Sequence, residues 1–274
     1  MSERTGVLRI GAIKKGELTI PDNLYYQGAL KLMRPQYLDE SGQLTFFILN
    51  PGGGYVDGDR YTIDIKVQKG ADLYLTTQSA TKIYETPQDK VCQRTKITLE
   101  PDSSFVYIPD AVIPYENSIY EQDQEVHMSS DAFYFTSEIL TPGWTLDGAG
   151  FYYKSLNISN HIYVDNKLAV ADRLLFTPQD NHLSRTGMLE GYSHLGAVTI
   201  LAKSITDEVI NRLREALASI PFSGRLGLSK LAVSGLSMRA LGNSTQEIER
   251  LIYACYDFAR LACRGQKVTR IRKF

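Results

Sequence analysis

Cysteine, histidine and tryptophan are scarce in this chain. Its 274 residues hold three cysteines, four histidines and one tryptophan. Cys92, Cys255 and Cys263 make no C-x-x-C pair, so neither a disulfide framework nor a thiolate zinc site is spelled out. Cys255 and Cys263 fall on one predicted helix, too far apart along it to bridge each other, which points to free buried thiols. His127, His161, His182 and His194 lack zinc-type spacing, although His182 and His194 flank one loop and could meet. No tightly bound metal or other cofactor is expected. Room is left for weak passage of a hydrated divalent ion past carboxylates and hydroxyls.

Long apolar runs are missing as well. Nothing approaches the roughly twenty residues that span a bilayer, and the opening MSERTGVLRIGAIKKG has no apolar core of the signal-peptide kind. The expectation is a cytoplasmic protein with no membrane partner. Catalytic signatures are absent from the sequence: no G-x-G-x-x-G before a helix, no G-x-x-x-x-G-K-[ST], no G-x-S-x-G and no H-E-x-x-H. Nucleic-acid binding has only the basic tail QKVTRIRKF in its favour, since aromatics do not interleave with Lys and Arg.

What is present leans to β-structure. Apolar residues make up 43% and charged residues 22%, ordinary values for a globular chain. Tyrosine dominates the aromatics, 17 against one Trp, and favours half-exposed strands. Net charge is −1, unevenly divided. Residues 204–274 carry 12 Lys and Arg against 6 Asp and Glu, leaving 18 against 25 upstream. Opposed halves fit electrostatic docking of partners, and equally a small Arg-rich helical unit that happens to come last.

The chain is organised around residues 50–84, NPGGGYVDGDRYTIDIKVQKGADLYLTTQSATKIY. Two turns, one triple-glycine and one at Asp57-Gly58-Asp59, precede Tyr61, Ile63, Ile65 and Val67 at a period of two. Leu73, Leu75 and Thr77 alternate again and run into a polar end, Thr76 to Thr81, followed by Lys82 and Tyr84. Such an end is either a threonine ladder on a sheet or a surface of uncharged donors and acceptors. A turn and an aspartate recur before apolar strands at Asp72, Asp102 and Asp131, offset by 30 and 29 residues, which points weakly to stacked coils.

Other strand candidates are residues 24–33, 44–49, 96–100, 104–108, 133–140, 151–155, 161–164, 168–176 and 196–203. Residues 109–115 hold two prolines and read as an ordered loop. Glu116, Glu121, Asp123 and Glu125 read as a solvated acidic edge. Thr206 caps a helix, Ser244-Thr245-Gln246-Glu247 is a capping box, and Ile248, Leu251, Ile252, Cys255, Phe258 and Ala262 line one face of the last helix. The expected architecture is mainly β. A β-helix-like body of stacked sheets spans residues 1–203, and a small α+β part with two helices, 204–274, packs on it.

The run GGGYVDGD, the strand after it and LTTQSATKIY together resemble the urease accessory protein UreD family, also called UreH. Gly58, Asp59, Thr76, Thr77, Gln78, Thr81, Lys82 and Tyr84 carry the likeness. So do Pro109, Asp110, Ile113, Pro114 and Tyr115, then Glu138 with Gly143, and Leu168, Asp172 and Arg173. Gly143-Trp144 and Gly148-Ala149 depart from the Gly-Arg and Gly-Glu of many members. The resemblance implies a non-catalytic maturation factor. It would bind apo-urease with a helical accessory protein of the UreF type and a GTPase of the UreG type, helping nickel reach urease. It also implies a β-helix-like fold with an internal path, for which Thr76, Gln78 and Asp59 are the first lining candidates. The alternative is a β-solenoid enzyme acting on polysaccharide, a class usually secreted.

Overall fold

The computed structural model describes residues 5–179 and 183–268. His182 of the expected histidine pair lies outside them, as do the first four residues and the end of the basic tail. β1 (Gly6–Lys15) turns back into β2 (Leu18–Gly28), and β3 (Lys31–Leu32) pairs with β4 (Leu44–Leu49). The strand expected over residues 24–33 is thus two pieces. The break follows Gly28, at φ +72°, where a Cβ would sit 1.9 Å from the Thr5 carbonyl oxygen, so only glycine fits.

From here the chain winds. β5 (Arg60–Val67) lies in the first sheet, β6 (Asp72–Thr77) in the second, and β7 (Thr81–Ile83) on a short third side. β8 (Val91–Leu99), β9 (Ser104–Ile108) and β10 (Val112–Pro114) repeat that order one coil on. β11 (Ile119–Met128) and β12 (Phe133–Leu140) begin a third coil. Strands of successive coils pair in parallel, which makes a solenoid. Asp72 aligns with Ser104 and Ser104 with Phe133, so one coil takes 32 and then 29 residues. The coil-mate of Asp72 is therefore Ser104, two residues past Asp102.

The prolines do not keep residues 109–115 out of the sheet. Val112, Ile113 and Pro114 align with Thr81, Lys82 and Ile83. Pro114 is the last residue of its strand and needs only its carbonyl, which accepts from the Trp144 amide at 3.0 Å.

β13 (Ser155–Val164) and the antiparallel β14 (Lys167–Phe176) end the first sheet. β15 (His194–Leu201) crosses back to the second. After α1 (Asp207–Ala218), β16 (Arg225–Lys230) and β17 (Gly235–Gly242) extend that sheet, and α2 (Thr245–Arg264) follows.

The second sheet is buried on both faces. Leu73, Leu75, Phe105 and Tyr134 face Ile63, Ile65 and Ile97 of the first sheet inside the coils. Tyr74, Val106 and Phe135 turn the other way, onto Leu213 of α1 and Leu251, Ile252 and Cys255 of α2. This explains why its strands read as unbroken apolar runs, whereas Asp64, Lys66, Arg94 and Lys96 of the first sheet alternate out to water. Each Leu or Ile so buried contributes about 1.5–3 kcal/mol.

Thr206 caps α1 by accepting from the Val209 amide at 3.3 Å. Ser244 caps α2 at the Glu247 amide, 3.4 Å, and Gly265 ends it at φ +62°. The return arm of the capping box is not made, because Glu247 instead accepts from the Ser223 hydroxyl at 2.8 Å. The buried face of α2 includes Tyr256, Ala259 and Arg260, while Phe258 is half-buried beneath the Arg212 guanidinium.

Candidate functional site

The coil interior begins apolar and becomes polar as the stack grows. In one row of the first sheet, Ile63, Thr95, Gln124, Asn160 and Asp172 stand side by side on five neighbouring strands. The next row inward is all hydrocarbon: Ile65, Ile97, Val126, Ile162 and Val170. Across the interior, the second sheet sets Glu138, Ala197 and Arg239 in register. Asp172 and Arg239 then form an ion pair that ties the last strand of one sheet to the other.

Amide side chains organise the space between. Gln122 and Asn160 both donate to Oε1 of Glu138, at 3.0 and 3.3 Å. Gln124 donates to Asn160 Oδ1 at 3.2 Å and to the Tyr134 hydroxyl at 3.1 Å. Tyr120 donates to Gln122 at 2.9 Å, and Tyr55 to Gln93 at 2.8 Å. Burial raises the Glu138 carboxyl above the usual range, opposed by the Asn160 bond and the nearby Arg239 charge. It also raises the hydroxyls of Tyr55, Tyr107, Tyr120 and Tyr134.

Three small cavities follow this polar interior. The first, about 40 Å³, is bordered by Thr77, Asp110, Gln122, Gln124 and Glu138. The second, about 10 Å³, shares Gln124, Thr136 and Glu138 with it and reaches Asn160, Asp172 and Thr199. The third, about 30 Å³, shares Tyr55, Thr77 and Thr81 with the first and ends at Asn50, Gly53 and Gly54. About 10–15 Å³ is room for one water, so the chain of cavities is wide enough for single waters beside polar walls. Outside the first sheet lies a groove of about 420 Å³ with Cys92, Glu121, Asp123, His161 and Arg173 on its walls, and Asp172 borders it too.

The family-likeness residues therefore divide. Thr77, Asp110, Glu138 and Asp172 border the cavities, and Thr77 and Asp110 hold each other through two 2.8 Å bonds. Asp59 is buried elsewhere, clamping its own turn by accepting from the Val56 amide at 2.8 Å and the Tyr61 hydroxyl at 2.7 Å. Gly58 supplies the left-handed residue of that turn, φ +76°. Thr76 turns away from the interior and donates to the Ile108 carbonyl at 2.5 Å. Gln78 is exposed. Lys82 gives its carbonyl to the Tyr55 amide, and Tyr84 packs 4.9 Å from Tyr115 on the third side, with Trp144 5.0 Å beyond. So Asp59, Thr76 and Gln78 border none of these three cavities. Gln93, Gln122, Gln124, Asn160 and Arg239 are the interior residues that pattern reasoning missed. Among the described residues no three His, Cys, Asp or Glu converge as a metal-ligand set.

The pattern described as UreD urease accessory protein matches residues 4–273. The chain belongs to the UreD family. Relatives span nearly the whole of it. A urease accessory protein UreD from Lachnoclostridium phytofermentans is 40% identical over 261 residues, 95% of each chain. One from Bacillus cereus is 33% identical over all of both chains, and one from Staphylococcus epidermidis 34% over 98% of each. No described helix is long and apolar enough to cross a membrane.

Proposed function

We propose that this UreD-family chain is a non-catalytic urease maturation factor of the cytoplasm. It binds apo-urease together with a helical UreF-type protein and a UreG-type GTPase, and its coil interior gives nickel a shielded path. Family membership supports the first part. The path rests on one observation: a solenoid core that could be hydrocarbon throughout carries a polar row of Thr95, Gln124, Asn160 and Asp172, with the Glu138 carboxylate across from it on the second sheet. Burying amides and a carboxylate is costly unless each finds a partner, and here they line cavities instead of filling them. Carboxylate, amide and hydroxyl oxygens suit a partly hydrated divalent ion that must enter and leave.

The test is co-expression with urease and its other accessory proteins. Urease activity, nickel content and pull-down of the partners are measured for Glu138→Gln and Thr77→Val, beside Asp59→Asn and Gln78→Ala. The path reading expects intact complexes but lower nickel loading for the first two. Full activation by Glu138→Gln in an intact complex ends that reading and leaves the scaffold.

A further inference from the structure

The third side of the coils carries an apolar outer face. Tyr55 aligns with Ile83 and Ile83 with Pro114, and all three are buried. One residue on, Val56, Tyr84, Tyr115 and Trp144 fall on the opposite face, Val56 and Trp144 exposed and the two tyrosines half-buried. The loop after Trp144 adds Leu146, 91% exposed, and the exposed Tyr152. That loop is braced. The Thr145 hydroxyl donates to Asp147 Oδ1 at 2.7 Å, the Ala149 amide donates to the same oxygen at 3.1 Å, and the Phe151 amide donates to the Pro142 carbonyl at 2.6 Å. A fixed turn thus holds Leu146 out in water.

The flank of this face is acidic. Glu85 and Glu116 follow Tyr84 and Tyr115 directly, and both are exposed. Neither joins an ion pair among the described residues, whereas Asp89 and Glu121 near the first sheet pair with Arg60 and Lys90. Asn117 donates to Glu85 at 3.2 Å and its amide donates to the Tyr152 carbonyl at 3.0 Å, so the carboxylates and the loop meet at one corner. Asp147 adds a third carboxylate beside Leu146, while Lys82 lies next to Ile113 and Lys154 where the loop ends.

We propose that this face docks a protein partner whose own surface offers an apolar ridge edged by Lys or Arg. Trp144 and Leu146 pack on the ridge, as aromatic and aliphatic anchors do at the centre of interfaces. Glu85 and Glu116 meet the basic edge and steer the encounter. The same carboxylates repel an anionic lipid surface. The proposal rests on the reading of the chain as a member of a multiprotein assembly, and not on the ion path.

The experiment replaces Trp144, the chain's single tryptophan, with fluorotryptophan, so that one fluorine NMR signal reports on this face. Purified apo-urease, UreF-type protein and UreG-type GTPase are added to the full-length chain, singly and together, and binding is measured independently by sedimentation. The signal should shift with at least one of them. Binding of that protein should fall roughly tenfold or more in Leu146→Ser, which removes one leucine from the buried contact. It should fall by roughly the same factor in Glu85→Lys with Glu116→Lys, and added NaCl should weaken the native chain more than that double variant. All these side chains are exposed, so an unchanged melting temperature confirms that each variant is folded. Partner binding with an unmoved signal, or full affinity in Leu146→Ser, overturns the face and leaves the assembly standing. No binding to any partner overturns both. A signal that shifts only as the chain is concentrated, or only with phosphatidylcholine vesicles, gives the face to a second copy or to a membrane and overturns the proposal too.

Discussion

Arg260 of α2 pairs with Asp39, which lies 221 residues earlier in the chain. The guanidinium is 3% exposed and also donates to Gln43 at 3.2 Å and to the Tyr256 hydroxyl at 3.0 Å. Gln43 in turn donates to Asp72 at 2.7 Å, and Asp72 accepts from Arg264 at 2.7 Å. One buried network therefore fastens the last helix to the first turn of the solenoid.

Removing Arg260 should cost more than removing any surface charge. Arg260→Ala takes a donor away from Asp39, Gln43 and the Tyr256 hydroxyl at once, and breaking a buried pair from one side costs about 3–5 kcal/mol. Arg260→Met refills the volume and should recover part of that. Asp39→Asn, on the more open partner, should cost less. Urea denaturation of the three variants ranks them, and a loss under about 1 kcal/mol for Arg260→Ala would show the network to be slack.

The same network shows what the sequence makes legible. Strand alternation in residues 60–67, the cap at Thr206 and the Ile248-Leu251-Ile252-Cys255 stripe of α2 were readable because period and side-chain chemistry agree there. Arg260 was not, since an arginine on a helix face reads as solvent-facing until its distant acceptors are known. The interior row failed for a related reason. In β11, Gln122 and Gln124 alternate with Glu121, Asp123 and Glu125, so both faces are polar and period two cannot say which is inside. Thr76 reads as a lining residue, yet Thr77 borders the cavity and Thr76 turns away, because a one-residue step in a strand reverses the face.

Two glycines of the family-likeness stretches should respond differently to alanine. Gly58 has φ +76° with nothing nearer than Asp89 Cβ at 4.0 Å, so Gly58→Ala bears only the left-handed backbone penalty, about 1–2 kcal/mol. Gly143 has φ +90°, and a Cβ there would lie 2.2 Å from the Pro114 carbonyl oxygen. Gly143→Ala must also displace the third side of the coil and should lower the melting temperature clearly further. Equal losses would contradict the close approach.

Tyr84, Tyr115 and Trp144 pack as tilted rings across three coils of that third side, at 4.9 and 5.0 Å between centroids. Trp144 is 48% exposed, so its truncation alone should be mild. A double-mutant cycle of Tyr115→Ala and Trp144→Ala should give a coupling of about 0.5–1.5 kcal/mol. Trp144 is the chain's single tryptophan, so its fluorescence should shift in Tyr115→Ala before any global unfolding. Zero coupling with an unchanged spectrum would mean the rings touch without supporting each other.

Glu138 gives stability a sign with pH. Burial raises its carboxyl in the folded chain, so the folded state holds a proton that the unfolded state releases first. Below the ordinary glutamate value of about 4.3 the group is protonated in both states and its contribution is complete. As pH climbs from there through the raised folded value, that contribution is lost, after which it stays constant. Glu138→Gln has no proton to lose and can still accept at its amide oxygen. The stability difference, variant minus native, should therefore grow from about pH 4.3 upward and then level off. Denaturant melts in chelator-treated buffers between pH 4 and 8 measure it directly. A difference that stays flat across that range would mean Glu138 ionises inside the coil as it does in water, with Arg239 and the two amides fully offsetting its burial.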